Sequence, residues 1–304
     1  MGRVRQDGNL EQVIAAWVLH RGHMSVTPHQ WRRVRTSVPV VLGRLLDLVS
    51  DAPPDRPATA HWTVADTMAH LCGVAAMGLA LVRGAPPDLP VPGLLDLRRR
   101  TTVDTISVMN AEVLRHFTER RLPVLADRLR ADVEEVLRAA GEAGPEHEVS
   151  WLGGARLPVT GLLAHLLNEL NIHSWDIARA IGRRWVIDPA DAALFVDLFM
   201  VGMTRRGYGR LLDRDGPAHP GVISVNFRHR FGPEVTMILV DGRVTVGTPQ
   251  ARPDVRISFD PATFTLMLFG RVHRVRAVLA RKVSVGGRRP WLLPVFLRTM
   301  RLPS

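Results

Sequence analysis

The sequence predicts an all-α N-terminal domain followed by a smaller α+β domain. Three observations carry this. Trp31, Val34, Val38, Val41, Leu42, Leu45 and Leu48 recur at helical spacing, and comparable helical stretches follow as far as Arg206. A Gly-, Pro- and Asp-rich segment then begins at Gly207. Beyond it, residues 222–227 and 235–240 are β-rich, and Asp241-Gly242 between two β-type runs is a hairpin signal. A chain of 304 residues exceeds one typical domain, so two are expected.

The elements come in this order. Thr27-Pro28 reads as an N-cap followed by a first-turn proline, opening a helix that runs to about Val49. Pro-rich residues 52–58 break it. A second helix starts after Thr63 and runs to about Val82, and a Pro-rich loop spans 84–93. Residues 102–117 read as a third helix, Pro123 as an interruption, and 124–140 as a fourth helix. Residues 141–154 read as loop, 160–181 as a helix stopped by Gly182, and Pro189 opens another that ends near Arg206. In the second domain, 222–227, 235–240 and 255–259 read as strands, 261–269 and 274–280 as helical, 283–285 as extended, and 291–300 as helical. The expected organisation is an extension (1–26), a helical bundle (27–206), a linker (207–220) and an α+β domain (221–304). Residues 1–23 do not lead cleanly into the segment after them, and Met24 reads as the better start.

Composition excludes several classes of function. The single cysteine, Cys72, rules out an internal disulfide and a Cys-cluster metal site, and it reads as a small buried residue. The net charge of +11 comes almost wholly from arginine, with Lys282 the sole lysine. That ratio points to a high-GC genome. No zinc-finger spacing or aromatic interleaving accompanies it, so nucleic acid is not an expected partner. From Pro261 onward there is no acidic residue, so a lipid or an anionic membrane surface is a further expected partner for this face; a solvated basic face reads equally well. The N-terminus lacks the order of a secretory signal and no uncharged run is long enough to cross a bilayer, which places the protein in the cytoplasm.

One constellation carries chemistry. Glu169 and His173 lie four apart on one helix and so share a face. His70 falls in the second turn of another helix. One carboxylate and two imidazoles make three ligands for a divalent metal, zinc first, with a tetrahedral position left for substrate. Iron, nickel and manganese accept the same donors. The alternative for Glu169 and His173 is a solvated surface pair. Asp176, three residues after His173, is placed to orient it. His165, four residues before Glu169, reads as a ligand, a supporting group or an exposed residue.

The strings that hold these residues resemble a known family. Trp62-Thr-Val-Ala-Asp, with Ala-His70-Leu, is similar to the first metal motif of the DinB-like superfamily, and Asn168-Glu169 with His173-Ser-Trp-Asp-Ile-Ala-Arg-Ala to the second. With the C-terminal region they resemble the mycothiol-dependent maleylpyruvate isomerase family. Residues 254–303 resemble a sterol-carrier-type domain. The resemblance implies a DinB-like four-helix bundle that binds zinc through His70, Glu169 and His173, followed by a sterol-carrier-like α+β domain. It further implies mycothiol as cosubstrate, an electrophilic small-molecule substrate and an isomerase or thiol S-transferase activity, for which an actinobacterial source is compatible. The alternative is a non-catalytic carrier of a lipid or other hydrophobic ligand. Asn110 also looks family-like but receives no role. Arg228, Arg230, Arg271, Arg274 and Arg276 all compete as the arginine facing the site.

Overall fold

The computed structural model describes residues 26–214 and 219–300. The expectations for residues 1–25, the start at Met24 among them, lie outside the described residues.

Helix α1 (Pro28–Val49) opens on a capping box: the Thr27 hydroxyl accepts from the Gln30 N–H, and the Gln30 side chain accepts from the Thr27 N–H. Its buried residues Val34, Val38, Val41, Leu42 and Leu45 form one stripe. Helix α2 (Val64–Arg83) has its own box between Thr63 and Asp66 and ends at Gly84, whose φ of 64° is the left-handed conformation that glycine adopts without strain. Among the described residues α2 alone is long and apolar enough to cross a membrane; its bundle neighbours bury it.

Between the main helices the structure departs from the expected boundaries. The segment after the Pro-rich loop forms a short helix, α3 (Leu94–Arg100), with Asp96 in its first turn and Arg98, Arg99 and Arg100 in its last, the order that suits the helix dipole. The third expected helix starts later, as a 3₁₀ turn (Val103–Thr105) leading into α4 (Ile106–His116). Pro123 does not interrupt. It sits in the first turn of α5 (Leu122–Ala143), where a missing N–H costs nothing. Residues 148–150 of the expected loop form a strand, β1 (Glu148–Ser150), paired with β2 (Arg156–Pro158) just beyond it.

Helix α6 (Val159–Ala180) comes directly after β2. The last bundle segment is α7 (Pro189–Leu194), a π-helical turn (Phe195–Met200) and α8 (Val201–Arg206). Gly161 lets α6 lie on that π turn: a Cβ there would stand 2.7 Å from the Leu198 carbonyl oxygen. Helices α1, α2, α5 and α6 pack as the four-helix bundle around Leu45, Met68, Leu125, Leu129, Leu163 and Leu167.

The second domain is a five-stranded sheet in the order β5-β4-β3-β6-β7: β3 (Val222–Arg228), β4 (Val235–Val240), β5 (Arg243–Gly247), β6 (Val255–Phe259) and β7 (Val283–Gly286). Strands β3 and β6 are parallel and the other pairs antiparallel. Asp241 (φ 45°) and Gly242 (φ 79°) form the β4–β5 turn, both left-handed as a tight two-residue hairpin requires. Helices α9 (Pro261–Leu268), α10 (Arg274–Leu279) and α11 (Leu293–Thr299) complete it. The two parts are docked: α9 lies on α7, and β5 on α8. Residues 207–214 are packed rather than free. Tyr208, Leu211 and Leu212 are buried, the Val103 N–H donates to the Leu211 carbonyl (2.8 Å), and the Val244 N–H to the Tyr208 hydroxyl (3.0 Å).

Candidate metal centre

Helix α2 carries His70 inward from its second turn, because the Thr63–Asp66 box fixes where the helix begins. Helix α6 brings Glu169 and His173 onto one face opposite it. The three side chains converge. Each offers a ligand atom, and these atoms lie within 4.8 Å of one another. Glu169 Oε2 stands 3.3 Å from His70 Nε2 and 3.4 Å from His173 Nε2, so one carboxylate oxygen faces two imidazole nitrogens. All three residues lie along one large cavity.

The surroundings hold these groups in place. The Trp62 indole packs over both imidazoles, its centroid 4.6 Å from His70 and 5.7 Å from His173. Asp176 Oδ2 lies 3.3 Å from His173 Nδ1, an ionic neighbour, but the contact is too poorly aligned to satisfy that nitrogen as a hydrogen bond. Asp176 is clamped from the second domain: Arg271 donates through Nε to Oδ1 (3.1 Å) and through a terminal nitrogen to Oδ2 (2.7 Å), a bidentate pair. A further Arg271 nitrogen donates to the Phe269 carbonyl (2.6 Å).

Burial drives the electrostatics, and charge partners reverse it at two of the three groups. Burial holds the His70 imidazole below its ordinary value, against the pull of Glu169. Burial also favours protonation of Glu169, but His173 and His70 outweigh it and keep the carboxyl well below the usual range. At His173 burial opposes the proton, yet Asp176 and Glu169 prevail and raise the pKa. The surroundings therefore bias Glu169 toward the ionised carboxylate, His70 toward the neutral imidazole and His173 toward the protonated one.

Residues 40–178 match the family described as the mycothiol maleylpyruvate isomerase N-terminal domain. That match spans a little under half of the chain, and it is a similarity of the helical bundle. His70, Glu169 and His173 all lie inside it. Among solved structures, the mycothiol-dependent maleylpyruvate isomerase is similar at 15% identity and a TM-score of 0.46, over 84% of this chain and 92% of that one. A histidine-to-alanine mutant of it matches over the same shares at 14% identity and the same TM-score. Sterol carrier protein 2 from Yarrowia lipolytica matches 22% of this chain and 60% of its own, at 21% identity and a TM-score of 0.18. No curated protein shows significant similarity to the chain.

In the centre itself, His165 lies beside Glu169 rather than on the face shared by His70 and His173. Its Nε2 stands 3.5 Å from Glu169 Oε1, the oxygen turned away from His70, and its ring sits between Trp151 and Phe199. Cys72 is buried as expected: its thiol donates to the Leu125 carbonyl, and burial pushes its pKa up to about 12. Of the five competing arginines only Arg271 reaches the cavity; Arg228, Arg230, Arg274 and Arg276 are exposed elsewhere. Asn110 lies on the cavity wall. Two features have no signature in the sequence. Trp62 stands beside Thr63 in the first motif, but nothing in the string shows that it caps two histidines. Arg98 also lines the cavity, from a helix that the Pro-rich approach conceals.

Proposed function

We propose that the chain is a metal-dependent enzyme of the maleylpyruvate isomerase type, acting on an electrophilic small molecule with a low-molecular-weight thiol, mycothiol, by isomerisation or S-transfer. The observation that carries this reading is the convergence of His70, Glu169 and His173 within 4.8 Å on the wall of a cavity of about 800 Å³. The donor set suits the group. Two imidazoles and one ionised carboxylate are a first-row divalent set, zinc first, and three protein ligands are the number that leaves a coordination position open. A divalent ion there supplies positive charge that lowers the pKa of a bound thiol.

The chain's own residues do the rest. Asp176, fixed by Arg271, sets a negative charge 3.3 Å from His173 Nδ1 and so favours the ring position in which Nε2 faces Glu169. Trp62 and the apolar walls shield the centre from water, which strengthens every charge interaction inside. The chain has no thiol of its own to offer, since Cys72 is buried in the bundle and protonated at neutral pH. An external thiol fills that role. Its sulfur bonds to one carbon of an activated double bond as that bond becomes single. In isomerisation, rotation and loss of the same thiolate restore the double bond; in S-transfer, a proton completes the adduct. We place this activity in the cytoplasm, where such thiols are kept reduced. The basic C-terminal face exposes Val275, Val278 and Leu279, but the comparisons lend no support to a membrane surface as partner.

Metal analysis of the purified chain tests the reading. Wild type should hold about one equivalent of zinc and bind mycothiol. His70→Ala should lose about tenfold or more in metal affinity together with thiol-dependent activity. A His70→Ala protein with full metal content and full activity would sink the proposal.

A further inference from the structure

The large cavity says more about the substrate than the metal ligands do. Its volume, about 800 Å³, is near the upper end of small-molecule sites. Its walls are apolar over most of their extent: Met77 and Leu81 from α2, Ile106 from α4, Phe199 from the π turn, Met203 from α8, and Met300 beyond α11. Such walls favour a ligand with a substantial apolar body, because each apolar group moved from water onto them gains free energy while a polar one loses hydration.

Three arginines reach the cavity, and they differ in burial and in partners. Arg271 spends its donors on Asp176 and Phe269. Arg179 is exposed at the rim with its guanidinium over the Trp175 ring, 5.5 Å from the centroid. Arg98 is different. Among the described residues it has no acidic partner, and the like charge of Arg99 acts on it. Its Nε is buried and has no hydrogen-bond partner. A buried, unsatisfied guanidinium N–H is costly and gains on meeting an anion, most of all a planar carboxylate that accepts from two of its nitrogens.

We propose that this cavity takes an elongated apolar monocarboxylate, its carboxylate on Arg98 and its apolar body along the Met77–Met203 walls toward the His70–Glu169–His173 centre. A small dicarboxylate fits poorly, because it would leave the apolar walls without a partner. The inference deepens the proposed function by naming the substrate class of the same cavity. It rests on that reading only for the claim that the bound molecule reacts.

The test is therefore a binding measurement that does not need the metal. The full chain is titrated with a fluorescent polyene carboxylate, cis-parinaric acid, and with its methyl ester, once after chelation and once with added zinc. Wild type should bind the acid saturably at one site in both conditions. Arg98→Gln should weaken the acid by about ten- to a hundredfold, the loss of a charge-assisted hydrogen bond, and the ester by less than about threefold. Arg98→Lys should recover part of the loss, which separates charge from packing, and circular dichroism should show the same fold in each variant. Maleate at equal concentration should not displace the probe. The proposal is overturned if no saturable binding occurs, if Arg98→Gln weakens acid and ester alike or neither, or if maleate competes. Failure of the metal reading shows separately, as absence of zinc from a chain that still binds the acid.

Discussion

At the scale of single residues, the centre is a contest between desolvation and charge. His70, Glu169 and His173 are all buried, yet their proton affinities move in different ways because their neighbours differ. His173 has acids on both sides, Glu169 and Asp176, and so holds its proton above the ordinary histidine range. In the metal-free chain this raised pKa stabilises the fold below about pH 6.5, the unfolded value, and the contribution fades as pH rises through the folded one. Glu169 has the opposite sign: its depressed pKa stabilises the fold above its ordinary value and is lost as pH falls through the folded one. A metal needs His173 neutral, so binding expels that proton. Calorimetric titration with zinc at pH 6, in buffers of different ionisation enthalpy, should report release of about one proton per ion, declining once pH passes the folded pKa of His173. Equal uptake of zinc at pH 6 and pH 9 with no proton released would contradict this assignment.

At the scale of elements, the position of His70 is decided seven residues earlier. The Thr63 hydroxyl accepts from the Asp66 N–H, and Asp66 returns the bond to Thr63 while also receiving Arg120 from the α4–α5 connection. The box starts α2 at one residue and no other, which sets the face that His70 presents. Thr63→Ala removes half of it. It should cost about 1 kcal/mol, or a fall of about 2–4 °C in melting temperature. Differential scanning calorimetry reads it, and an unchanged midpoint would show that the tertiary contacts of α2 alone fix its start. Though the boxes themselves were not read, the starts of α1 and α2 were legible because they depend on residues within one turn. So were the α6 helix and the β4–β5 hairpin, whose signals are equally local. The ribbon β1–β2 and helix α3 were not. The ribbon is held by pairing across Trp151 and Gly154, and α3 by the close approach of residues 152–154, where Thr101 and Leu211 surround Gly153.

At the scale of the whole molecule, the second domain completes the centre. Asp176 belongs to the bundle and is buried; the cation that balances it, Arg271, comes from the turn after α9. Removing one partner of a buried ion pair leaves the other charge without compensation. Arg271 is partly accessible, so the cost of Arg271→Gln is discounted to about 2–4 kcal/mol. Zinc affinity should fall about ten- to a hundredfold because Asp176 no longer holds His173 in place. Urea unfolding with a parallel zinc titration checks both. A variant with wild-type stability and wild-type affinity would show that the docked domain contributes nothing to the site.

The sequence by itself determined the periodic and the nearest-neighbour features: helices and their starts, a hairpin, a change of architecture near residue 207, and the pairing of Glu169 with His173 on one helical face. All of these arise from backbone geometry over three or four residues. The tertiary structure alone decided which of five arginines meets Asp176, which indole covers the imidazoles, and that Arg98 faces the cavity without an acid. Each of those joins residues far apart in the chain, and such a pairing is set by how the surfaces pack rather than by any local pattern.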